Sequence, residues 1–99
     1  MACEVIWTRR ASRDLAEIET YIAADNTGAA RREAGEILRK VDLLENFPRL
    51  GSFFRRTIDA EYRSVLSGKY RIVYRILPGE TMVEITTVRH GAQDDPELP

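Results

Sequence analysis

Five residues in the second half of the chain carry side chains able to meet a phosphate or a carboxylate: Arg63, Lys69, Arg71, Arg75 and His90. Three of them fall in the run SGKYRIVYRI (67–76). At a period of two, Lys69, Arg71 and Arg75 share one side of a strand with Val73, and Tyr70, Ile72, Tyr74 and Ile76 share the other. Guanidinium groups on one strand face can hold phosphate oxygens, stabilise charge developing on one of them, or bind an acidic peptide. An imidazole beside them would add a group that moves a proton near neutral pH. Arginines with one histidine and no metal are the equipment of a metal-independent ribonuclease. The same side chains also suit ion-paired or solvated sheet positions, with His90 a hydrogen-bonded structural residue. Tyr70 and Tyr74 lie with Ile72 and Ile76, which places them in a core rather than in a base-stacking role.

Other chemistries leave no trace in the sequence. It has no glycine loop of phosphate-cradling type, no serine elbow and no pair of carboxylates in a plausible cleft. One cysteine, Cys3, and one histidine give no zinc-ligand spacing, so neither a metal nor another cofactor is expected. MACEVIWTRR turns charged too early for a signal peptide, and no apolar run approaches the roughly 18 residues of a spanning helix. A cytoplasmic chain without membrane contact is the expectation.

Charge is segregated. Arg49 to Arg75 contains seven cations and two anions, a balance of 7 − 2 = +5, whereas the whole chain carries −1. A cationic block of this kind is suited to an acidic or phosphate-bearing partner.

The elements that must position these groups follow from periodicity. CEVIW (3–7) is a short β-prone run. Ala11, Leu15, Ile18 and Ile22 then recur at helical spacing, Asn26, Thr27 and Gly28 interrupt, and Ala30, Ala34, Ile37, Leu38, Val41 and Leu44 make a second helical stripe before Pro48. FPRLGSFFRRTIDA (47–60) reads as a loop. EYRSVLSG, KYRIVYRIL and TMVEITTVRH read as three strands joined by short turns. The order β-α-α-β-β-β predicts a single α+β domain over 1–99, an antiparallel sheet with an N-terminal helical hairpin on one face and a loose tail at 92–99. Tyr70, Ile72, Tyr74, Ile76, Val83 and Ile85 should bury against Leu15, Ile18, Ile22, Ile37, Leu38 and Val41. Straight alternation along the last strand puts His90 on the polar side, together with Arg63, Arg71 and Arg75.

VIWTRRASRDLAEIETYIAADN, the P-x-L-G of Pro48–Gly51, Tyr62-Arg63, GKYRIVYRI and VRHG, in that order, resemble the RelE/ParE superfamily of type II toxin–antitoxin toxins, and its ParE branch more closely. The resemblance covers about Val5 to Gly91. It implies a strand, a helical hairpin and a meander, and a growth inhibitor silenced by a ParD-like or RelB-like antitoxin, with DNA reached only through the antitoxin complex. Arg71 matches the arginine that RelE-type ribonucleases place on substrate phosphate, and Arg63 a basic position on the preceding strand. Val65 stands where those enzymes carry another cation, and AQDD follows Gly91 where they are basic. The ParE-like reading is therefore a protein that poisons DNA gyrase by binding it. Alternatives are a RelE-like, ribosome-dependent messenger RNA endonuclease using Arg63, Arg71 and His90, and a degenerate member that binds only its antitoxin. In either binding role, Arg63, Lys69, Arg71 and Arg75 are the contacts implied for antitoxin or target.

Overall fold

Two side chains start the helices. In a computed structural model describing residues 2–91, Thr8 Oγ1 accepts from the Ala11 N–H and caps α1 (Arg9–Ala23), which follows strand β1 (Glu4–Trp7). Asn26 Oδ1 accepts from the Ala29 N–H and caps α2 (Thr27–Leu43). Four strands follow: β2 (Ser52–Arg56), β3 (Glu61–Ser67), β4 (Tyr70–Ile76) and β5 (Met82–His90). With β1 they form one sheet in the order β1-β5-β4-β3-β2, in which β2, β3, β4 and β5 pair antiparallel in succession.

The α+β architecture with a helical hairpin on one face agrees with the order of sequence patterns, and two features go beyond it. β1 pairs parallel to β5, so the sheet is mixed. Residues 52–56, inside the segment expected to be a loop, form a fifth strand on the edge beside β3. All five are exposed, so this strand has no buried face and no apolar-polar alternation to betray it. The expected tail at 92–99 lies outside the described residues.

The core forms between the hairpin and one face of β3 to β5. Tyr70, Ile72, Tyr74, Ile76, Val83 and Ile85 are all buried there, with Ile37 and Val41 from α2. Leu15, Ile18 and Ile22 of α1 pack against this cluster half-buried. Leu38 does not join it: one residue past Ile37, it is turned about 100° round the helix and is 45% exposed.

β5 contains a bulge that reorders everything after it. Val73 pairs with Thr87 but Tyr74 pairs with Ile85, leaving Thr86 as the extra residue, its Oγ1 donating to the Val73 carbonyl at 3.1 Å. Upstream, Val83 and Ile85 face the helices. Downstream the parity reverses, so Val88, expected on the polar side, is 3% exposed in the core.

Candidate functional site

β4 is the central strand, and the face it turns away from the helices holds Arg71 and Arg75. Arg75 lies between Tyr62 of β3 and Glu84 of β5. Its Nε donates to Glu84 Oε1 at 2.7 Å and its Nη1 to the Tyr62 hydroxyl at 3.3 Å. Burial alone would lower its pKa, but the hydrogen bonds to Tyr62 and Glu84 outweigh this and the value is raised. Arg75 is thus an internally neutralised cation. Arg71 stands directly opposite Arg89 of β5. Two guanidinium groups thus come side by side across the ladder, the arrangement in which like charges repel. Arg89 was not singled out from the sequence, because straight alternation assigns it to the apolar side. Only the Thr86 bulge moves it beside Arg71.

The same bulge removes His90 from that face. His90 pairs with Tyr70, a core-facing residue, and its ring meets the Tyr70 ring edge-on at 5.8 Å and 78°. It lines a cleft of about 480 Å³ between the end of β5 and α1, with Arg10, Glu17, Ile18 and Tyr21. At its wall, Asp14 accepts from Thr87 Oγ1 at 2.6 Å and from the Val88 N–H at 3.2 Å. Lys69 sits in the two-residue turn before β4, its Nζ 5.9 Å from the Tyr70 ring centre.

Arg63 is also turned away from Arg71. Its ladder partner is Tyr74, so it lies on the helix-facing side, beneath the segment that enters β2. There its Nε donates to Glu61 Oε2 at 2.5 Å and its Nη1 to the Gly51 carbonyl at 2.7 Å. Glu61 is 6% exposed and also takes Arg56 at 2.8 Å and Arg49 at 3.5 Å; Arg49 in turn pairs with Glu80. The Arg63 hydrogen bond, aided by Arg49 and Arg56, outweighs burial and holds the Glu61 carboxyl below its ordinary value. The Tyr74 hydroxyl donates to the Pro48 carbonyl at 2.7 Å and accepts from the Gly51 N–H at 2.8 Å. A Cβ on Gly51 would lie 2.6 Å from the Ser64 carbonyl oxygen. The Pro48–Gly51 motif is therefore a clamp fixing the chain where it enters the sheet.

The five candidates accordingly divide. Arg71 and Arg75 share the face away from the helices, joined by Arg89. Arg63 and His90 lie on the helix-facing side, and Lys69 lies at the turn between β3 and β4. Among the described residues no three metal-ligating side chains gather.

Residues 5–95 match the model of the ParE toxin of the type II toxin–antitoxin system parDE. The chain belongs to this family. It is a toxin of the RelE/ParE superfamily. Y4kP of Sinorhizobium fredii is 40% identical over 93 residues, spanning 93% of this chain and 92% of that one. Toxin RelE2 of Caulobacter vibrioides is 32% identical over 90 residues, spanning 91% of this chain and 97% of that one. The toxin fold of the archaeal RelE–RelB complex from Pyrococcus horikoshii superposes with a TM-score of 0.72 at 15% identity, covering 95% of this chain and all of that one.

Proposed function

We propose that this ParE-family toxin inhibits growth by binding DNA gyrase, and that a ParD-like or RelB-like antitoxin silences it. The observation carrying this reading is the separation of the residues a ribonuclease would need together. Arg71 lies on one face of the sheet, Arg63 and His90 on the other, and Arg63 is committed to Glu61 and the Gly51 carbonyl. A phosphate held at Arg71 would have the sheet between it and the imidazole, beyond the hydrogen-bond reach that general acid–base catalysis requires. Binding a protein makes no such demand. The cationic side chains outside that network, the exposed Arg55 among them, suit an acidic partner surface.

Induced expression without antitoxin should produce DNA-damage signalling and filamentation, and purified toxin should inhibit gyrase supercoiling. Translating ribosomes in a reconstituted reaction should leave the message intact. Site-specific cleavage of ribosome-bound message, reduced about a hundredfold by Arg71→Ala, would instead establish the endonuclease reading.

A further inference from the structure

The sheet ends in two edges of opposite charge, β1 first in its order and β2 last. β2 is exposed at every residue and carries Arg55 and Arg56. On β1, Glu4 and Thr8 donate their N–H groups toward β5, to the Thr81 and Ile85 carbonyls, so the alternate residues Val5 and Trp7 turn theirs outward. Val5 and Trp7 line a cleft of about 320 Å³ between β1 and the end of α2, together with Glu4, Asp42 and Glu45. None of these three carboxylates pairs with a cation among the described residues.

The two edges also match in direction and in facing. β1 runs parallel to β5, and three antiparallel steps lead from β5 to β2, so β1 and β2 run opposite ways. Setting the β2 of one copy beside the β1 of another continues the sheet with an antiparallel pair. On the helix-facing side β1 shows Val5 and Trp7, in register with the core residues Val83 and Ile85. On the same side β2 shows Phe53 and Arg56, in register with Arg63 and Glu61. Phe53, 51% exposed, thus meets the apolar wall of the cleft, and Arg56 meets Asp42 and Glu45. Arg56 already holds Glu61 at 2.8 Å, but its side chain is 67% exposed and keeps donors for a second carboxylate. On the opposite side Arg55, in register with Tyr62, falls with Glu4. Pairing like edges does the reverse, crowding carboxylates along a β1–β1 seam or guanidinium groups along a β2–β2 seam.

We propose that the partner of the β1 edge is a second copy of this chain, whose β2 edge pairs with it head to tail. The outward N–H groups of Val5 and Trp7 allow only a short ladder, so the association is weak and leans on charge complementarity. Each such pair leaves one β1 edge and one β2 edge unused, and assembly therefore continues past the dimer. The interface involves neither gyrase nor antitoxin and stands apart from the proposed function.

Sedimentation of the full-length toxin without antitoxin, from micromolar to millimolar concentration, tests it. At low salt the average mass should climb past that of a dimer, and high salt should weaken the association by about tenfold. Glu4→Ala with Asp42→Ala disables the β1 edge, and Phe53→Thr with Arg55→Thr the β2 edge. Each double variant should associate about tenfold more weakly than wild type while keeping its circular dichroism. At a concentration where each alone is monomeric, an equimolar mixture should form dimers and go no further, because one intact pairing of edges is left. Hydrogen exchange gives a second reading: the Val5 and Trp7 amides and those of Ser52–Arg56 should slow together as concentration rises. A wild-type toxin that stays monomeric throughout overturns the proposal, as does a mixture that stays monomeric. Either double variant dimerising as readily as wild type would reveal pairing of like edges and overturn it too, and so would slowing confined to one of the two strands.

Discussion

Tyr74 shows how one side chain serves both core and loop. Its ring is fully buried between sheet and helices, while its hydroxyl bridges the Pro48 carbonyl and the Gly51 N–H. Burial pushes the phenol's pKa up, so the hydroxyl stays protonated and remains a donor to Pro48. Tyr74→Phe keeps the packing but leaves a buried N–H and a carbonyl without their partner. It should cost about 1–3 kcal/mol in denaturant unfolding. It should also speed amide exchange at Gly51 and in β2, a change that a general loss of packing would not confine there. At the same scale lies the fate of the candidate site: Arg75 is spent on Glu84 and Tyr62, Arg63 on Glu61, and Arg71 stands opposite Arg89.

At the scale of elements, β5 carries the decisive irregularity. Before Thr86 it lies between β1 and β4; after it, α1 replaces β1 through Asp14. Asp14→Ala would leave the Val88 N–H and the Thr87 hydroxyl facing the helix without an acceptor. A loss of about 1–2 kcal/mol in thermal or denaturant unfolding is expected, with faster exchange at Val88 and little change in β3. Leaving β3 untouched while loosening the end of β5 would also disturb the cleft that His90 lines. β2 is the contrasting element: among the described residues β3 supplies all of its pairing, and its side chains add almost nothing to the core.

For the whole molecule, Glu61 ties together three stretches of chain: Arg49 in the entry to β2, Arg56 at the end of β2, and Arg63 in β3. Through the Arg49–Glu80 pair the network reaches the turn before β5. Because the folded carboxyl titrates below its ordinary value of 4.5, its stabilisation is fully present above that value and is lost as pH falls through the lower folded value. Glu61→Gln should therefore destabilise the fold at neutral pH, by about 1.5–3 kcal/mol as for hydrogen bonds to a charged group. The gap between wild type and variant should close progressively below pH 4.5, as followed by denaturant midpoints across an acid series. A gap independent of pH would mean that the glutamine fails for reasons of packing rather than charge.

What the sequence determined by itself was local and periodic. The stripes from Ala11 and from Ala30, broken at Asn26, mark two helices, the alternation from Tyr70 to Ile76 gives β4 its buried face, and the ordered motifs from Val5 to Gly91 point to the toxin family. These rest on backbone periods of 3.6 and 2 that neighbouring residues fix without help. β2 escaped because an edge strand exposed on both faces has no such period. Which groups share a site was a different matter. Thr86 is one extra residue, and one residue is half a strand period, so every side chain beyond it changes faces: His90 leaves the arginines and Arg89 joins Arg71. Arg63 is placed by its register with Tyr74 and by carbonyls at Gly51 and Arg49, more than ten residues away. Such parities are set where two strands pair, and no stretch of either strand alone records them; only the tertiary structure could decide the site.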